Sequence, residues 1–213
     1  MGISRVKLSY RQLEAILAAY LGVHPDKMFT FRSRMKQLQR LEFPAGVNIG
    51  RGIRMTYTAE HLLQLAAAFE VIGAGLAAKA ATDVVSQYWD RFQAAFGRAH
   101  SKLSFKSDFE TFVCIAGKPP VAPEREVGDP VSVHDLTSLT EQVLCFPRPD
   151  HQARAGMIII RADYMLERVN RLAGDIGQVR NPKWATEYGE WASKRDGDQQ
   201  LWDYADGGSD YPF

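Results

Sequence analysis

Residues 8–57 read LSYRQLEAILAAYLGVHPDKMFTFRSRMKQLQRLEFPAGVNIGRGIRMTY, and the order of signals in this stretch sets the expectation for the chain. Ser9 followed three residues later by Gln12 makes a capping box, and Leu8 with Leu13 supplies a hydrophobic staple, so a helix starts at Tyr10. Leu13, Ile16, Leu17 and Tyr20 share one face at helical spacing, and Gly22 stands where a left-handed C-terminal cap is wanted. After the turn at 22–25 a second apolar stripe, Phe31, Met35, Leu38 and Leu41, defines another helix. Thr30 is its expected N-cap in preference to Asp26, because running the helix back from Phe31 puts Phe29 on the polar face. Ser33, Lys36, Gln37 and Arg40 project together from the side opposite the stripe, with Arg32 and Arg34 on its flanks.

Beyond Leu41, residues 43–46 and 53–57 read as two β-edges around a Gly-rich tip, 47–52, and the hairpin carries Arg51 and Arg54. The reading is a wing. Thr58 then caps a third helix, Ala59 to about Gly73, whose Leu62, Leu65, Ala66 and Phe69 can close a core. A short helix, a tight turn and a second helix with a cationic outer face form the pattern of a helix-turn-helix, in which the second helix enters the major groove.

With the wing, the segment Arg54-Met55-Thr56-Tyr57-Thr58-Ala59-Glu60-His61-Leu62-Leu63-Gln64-Leu65 and the later Gly73-Ala74-Gly75-Leu76, this order resembles the MerR-type winged helix-turn-helix of bacterial transcription regulators. In that family the wing ends in an Arg-x-Tyr-like segment, followed by a Glu/Asp-Leu helix, a turn with a Gly and a fourth helix. The resemblance spans about residues 7–95 and rests on order and spacing rather than residue-by-residue identity. It implies double-stranded DNA as partner and a supporting role for Tyr57 beneath the wing. The chain departs from the pattern in the longer segment, 24–30, between its first two helices.

A formal charge of +1 on 213 residues hides a strong asymmetry. Residues 1–59 hold ten Lys/Arg against three Asp/Glu, a net +7, while residues 182–213 hold seven Asp/Glu against three Lys/Arg, a net −4. A basic head with an acidic tail suits a nucleic-acid partner better than the total suggests. Cys114 and Cys145 are too far apart for a zinc or redox motif, and each lies in an apolar run, so buried free thiols in a reducing compartment are expected. Neither a secretory leader nor a membrane span is expected, since no apolar run of the needed length occurs. The expected location is the bacterial cytoplasm, in association with the nucleoid.

Residues 77 to about 100, with Ala81, Val84, Val85, Tyr88, Trp89, Phe92 and Phe96 at helical spacing, are expected to form one amphipathic helix, interrupted from Gly97 to Ser101. Residues 101–181 read as a small α+β domain for dimerisation, sensing or partner contact. It has a strand at 109–116, a Pro/Glu-rich loop to Pro130, a helix at 135–144 with an edge strand from Val143 to Phe146 as the alternative, a strand at 156–161 and a helix at 162–172. Residues 182–213 hold Trp184, Trp191 and Trp202 among acidic residues and glycines, and are expected to be a poorly ordered tail that packs on the second domain or lies across the basic head.

The fold class that follows is mainly α: an N-terminal winged helix-turn-helix domain (1–100), a small α+β domain (101–181) and an acidic, aromatic tail (182–213). Arg and Lys suit guanine, Gln suits adenine, and Ser reaches a base or a phosphate. The candidate DNA contacts are therefore Arg32, Ser33, Arg34, Lys36, Gln37 and Arg40 on the second helix, Arg11 at the first helix N-terminus, and Arg51 and Arg54 on the wing. The bland alternative is a solvated charged face. The five histidines are scattered, His134-Asp135, Asp108 and Glu110 make no recognisable constellation, and the Gly-rich 46–52 lacks a phosphate-loop context, so no catalytic residue, cofactor or metal is expected. The expected activity is sequence-specific DNA binding by a regulator acting as a homodimer. A phage-style architectural DNA-binding factor, or a protein-interaction module with a partner at the second domain or tail, is the alternative.

Overall fold

The computed structural model describes residues 7–47, 56–105, 110–116, 130–144, 157–176 and 183–194. They form helices α1 (Tyr10–Tyr20), α2 (Met28–Arg40), α3 (Ala59–Gly73), α4 (Ala78–Gln87), α5 (Trp89–Phe105), α6 (Leu136–Leu144), α7 (Ala162–Asp175) and α8 (Lys183–Lys194), with strands β1 (Thr111–Ala116), β2 (Val131–Asp135) and β3 (Met157–Arg161). The fold is thus mainly helical with one three-stranded antiparallel sheet. Packing separates two units, each discontinuous in sequence: Met1–Asp90 with Tyr164–Glu187, and Arg91–Asp163 with Tyr188–Phe213. Expected boundaries at residues 100 and 181 instead treated each domain as one continuous segment.

In the first unit the local signals act as expected at α1. Ser9 Oγ accepts the Gln12 N–H while Gln12 Oε1 accepts the Ser9 N–H, and the staple residues Leu8 and Leu13 are fully buried. The helix ends on Gly22 at φ +64, with Val23 N–H reaching back to the Ala18 carbonyl, the bond of a Schellman cap. Thr58 and His61 form the equivalent capping box at α3, which ends at Gly75 in the same way. Buried faces from α1 (Ile16, Leu17), α2 (Phe31, Met35, Leu38), α3 (Leu62, Leu65, Phe69), α4 (Ala81, Val85) and α7 (Met165, Leu166, Val169) make the core, with the Phe31 and Phe69 rings 5.6 Å apart. Each of these side chains larger than alanine stabilises by about 1.5–3 kcal/mol when removed from water. Arg168 ties α7 to the end of α1, its guanidinium 5.5 Å from the centre of the Tyr20 ring. Tyr20 donates to Glu70 at 2.7 Å, and burial with that bond holds its phenol well above the ordinary range.

Two expectations in this unit are corrected. The second helix begins at Met28 with Lys27 as its N-cap, rather than after a Thr30 cap, because Pro25–Lys27 forms a 3-10 turn, with Pro25 in its first position and His24 as cap, that feeds directly into it. Phe29 consequently does stand on the polar face, 82% exposed. The single helix expected over 77–100 is two, α4 and α5, broken at Tyr88 where ψ swings to 27°. The backbone of 48–55, with Arg51 and Arg54, lies outside the described residues. On its C-terminal side Tyr57 pairs with Leu8, just ahead of α1, in an isolated antiparallel bridge.

In the second unit the sheet order is β2-β1-β3, with Val113 opposite Val133 on one side and Ile160 on the other. The central strand is buried from Thr111 to Ile115, and Phe112, Cys114 and Leu139 cluster beneath it with Met157. Burial raises the Cys114 thiol to about 11, which leaves it protonated and inert. Strand β2 was not expected; Val131-Ser132-Val133-His134 alternates correctly but is too short to stand out before it pairs. Residues 143–144 are helical, so the edge strand proposed to begin at Val143 is not formed there; Cys145 and Phe146 lie outside the described residues, as do 117–129. Helix α5 runs on through Gly97 to Phe105, contrary to the expected interruption, because Gly97 packs against α8: a Cβ there would lie 2.6 Å from the Ala192 amide nitrogen. The start of the acidic tail is likewise helical, and Tyr188 and Trp191 on α8 are buried with their rings 5.3 Å apart. Trp202, Tyr204 and Tyr211 lie outside the described residues.

Candidate nucleic-acid interface

Helix α2 carries four cations, Arg32, Arg34, Lys36 and Arg40, and no carboxylate. Its apolar stripe is consumed by the core, and Leu41, half-buried, serves as its C-cap. At 3.6 residues per turn, Phe29, Ser33, Lys36 and Arg40 fall within an arc of about 60° directly opposite that stripe, forming a ridge about 16 Å long. Gln37 borders it, and all five are exposed. The ridge ends abruptly: Glu42 takes the left-handed conformation at φ +57, and the Phe43 and Glu42 N–H groups close onto the Leu38 and Gln39 carbonyls. With Phe43 and Leu38 both buried, this cap is fixed to the core.

Among the described residues Arg34, Lys36 and Arg40 have no ion-pair partner, so their charge faces solvent. Arg32 differs. Its Nε and Nη2 both reach Glu14 Oε1 at 2.9 Å, and the Glu14 side chain is only 12% exposed against 56% for Arg32. This expected contact residue therefore braces α2 on α1 and satisfies a carboxylate on the apolar side of α1. Ser33 Oγ donates to the Phe29 carbonyl at 3.0 Å, which leaves its hydroxyl oxygen as an acceptor for an incoming group. Arg11 is exposed on the first turn of α1, where the capping box already occupies the Ser9 and Gln12 amides. Tyr57 is buried as expected of a supporting residue and accepts from Gln39 Nε2 at 3.3 Å, while the His61 ring meets it edge-on.

The structure thus brings Ser33, Lys36, Gln37 and Arg40 together and adds Phe29 and Glu42, which sequence reasoning did not single out. No protein-family profile and no curated protein matches the chain.

Outside α2, the residues considered for acid–base chemistry serve local structure. Asp135 caps α6 by accepting the Ser138 amide at 2.9 Å and pairs with Arg98 at 3.1 Å, and these bonds, the Ser138 amide foremost, hold its carboxyl below the usual range. His134 Nε2 lies 2.8 Å from Ser132 Oγ across one face of β2, and Glu110 pairs with Arg161 at 2.7 Å. Asp108 lies outside the described residues. Among the described residues no three His, Cys, Asp or Glu side chains gather as a metal site, and no helix is long and apolar enough to cross a membrane.

Proposed function

We propose that this chain binds double-stranded DNA in a sequence-specific manner as a transcription regulator of the MerR-like winged helix-turn-helix kind, with α2 in the major groove. The observation that carries the reading is the outward ridge of α2: cations without carboxylate partners among the described residues, on a helix whose opposite face is locked into a core. A helix about 10–12 Å across fits a major groove about 12 Å wide. Lys36 and Arg40 read guanine, Gln37 reads adenine, and Arg34 and Arg11 neutralise flanking phosphates. Arg32 acts from behind, holding α2 on α1. Arg51 and Arg54, which the sequence assigns to a wing and which lie outside the described residues, are the cations offered to the adjacent backbone or minor groove. A homodimer on a two-fold symmetric site is the natural assembly, and the protein works in the bacterial cytoplasm at the nucleoid.

The test is equilibrium binding to duplex DNA selected from a random pool, at two salt concentrations. Lys36→Ala and Arg40→Ala each lose about tenfold on the selected site and little on random duplex. Arg51→Ala weakens binding on every sequence and lowers the salt slope by about one. Unchanged affinity in all three variants overturns the proposal. Tight binding without preference among duplexes assigns the chain to the architectural class instead.

A further inference from the structure

The ridge of α2 begins with a side chain that the folding of the chain does not use. Phe29 is 82% exposed, whereas Phe31, two positions on, is buried against Phe69. The ring is therefore held in water at a standing cost, on the face that carries Ser33, Lys36 and Arg40. Side chains on a helix lean toward its N-terminus, so the ring projects beyond the first turn of α2, the end of a recognition helix that meets base edges. The polar group nearest to it along the ridge, the Ser33 hydroxyl, is turned back onto the Phe29 carbonyl.

We infer that Phe29 is a specificity-determining residue that reads a thymine through its 5-methyl group. The inference rests on the DNA-binding reading of α2. In the major groove the thymine methyl is the one apolar group that a base pair presents, and it is the feature an aromatic ring without donor or acceptor can recognise. The cations on the same ridge set the partner as a polyanion. Phe29 and Lys36 are separated by two helical turns, about 10.5 Å, which matches about three base-pair steps of 3.4 Å. The site therefore carries a thymine about three base pairs from the guanine that Lys36 contacts.

The experiment uses the full chain and duplexes selected from a random pool, with deoxyuridine placed singly at each preferred thymine. Deoxyuridine keeps every hydrogen-bonding group and removes only the methyl. Wild-type protein loses about fourfold in affinity at one thymine, the partitioning of a single methyl group. Phe29→Ala loses a similar amount on the thymine duplex and shows no further response to deoxyuridine at that position. An unchanged melting temperature of Phe29→Ala, expected of an exposed residue, keeps the comparison free of folding effects.

Sequence-specific duplex binding that is indifferent to every methyl, or a methyl response that persists in Phe29→Ala, overturns the inference and leaves the DNA-binding reading standing. Preference for single strands, with Phe29→Ala equally weak on thymine and uracil oligonucleotides, also overturns it and assigns the ring to base stacking. Absence of binding to any selected duplex removes the DNA-binding reading itself.

Discussion

Glu42 is the residue at which one substitution separates backbone strain from charge. It closes α2 in the left-handed region at φ +57, where a Cβ costs about 1–2 kcal/mol. The conformation is not negotiable, because the Phe43 amide is bonded to the Leu38 carbonyl at 3.1 Å and the side chains of both residues are buried. Glu42→Gly removes the strain, and the greater freedom of glycine in the unfolded chain takes back about 0.5–1 kcal/mol. A net gain of about 0.5–1 kcal/mol remains, or roughly 2 °C in melting temperature for a chain of this size. Glu42→Ala keeps the Cβ and its strain, and should leave stability within about 0.5 kcal/mol of wild type. Both variants delete a carboxylate two residues from Arg40, so both should bind duplex DNA about twofold more tightly at low salt, with the advantage fading as salt rises. Urea denaturation followed by helical circular dichroism reads the first effect, and fluorescence anisotropy with a labelled duplex reads the second. Equal stability of the glycine and alanine variants refutes the strain argument.

The remaining predictions concern the second unit. Gly97→Ala places a methyl against the α8 backbone and should destabilise by about 1–3 kcal/mol, although alanine is the better helix former; Gly189→Ala on α8, where nothing lies within 4 Å of the new carbon, should stabilise by about 0.5–1 kcal/mol, and paired urea melts report the opposite signs. Burial lowers the His100 pKa beneath its ordinary 6.5, so the unfolded chain takes up the proton first. The His100 contribution is therefore complete above about pH 6.5 and is lost as the pH falls below that value, and His100→Gln should flatten this part of a stability-versus-pH curve.

How much of this was legible follows from the range of each signal. The start of α1 and the whole of α3 could be read directly because Ser9 with Gln12, and Thr58 ahead of an apolar run, are satisfied within one helical turn. The start of α2 could not, because Phe29 on a polar face argues for a stop while Pro25 and His24 had already set the turn that launches the helix. Nothing local marks the break at Tyr88, where neither Gly nor Pro stands. Strand β2 exists through its pairing with β1, and α8 through Tyr188, Trp191 and the contact at Gly97; both depend on partners distant in sequence. At the candidate interface the outward set Ser33, Lys36, Gln37 and Arg40 follows from helical spacing alone. The commitment of Arg32 to Glu14 does not, although a carboxylate amid Leu13, Ile16 and Leu17 is a sign that a cation must reach it.

The central claim, that the α2 ridge lies in the major groove, is tested most directly by dimethyl sulfate footprinting on a selected duplex. The reagent methylates guanine N7 in the major groove and adenine N3 in the minor groove. The account predicts protection of guanine N7 within the bound site, with one guanine losing its protection in Lys36→Ala. Protection restricted to adenine N3, or a bound duplex whose guanines all stay reactive, contradicts it.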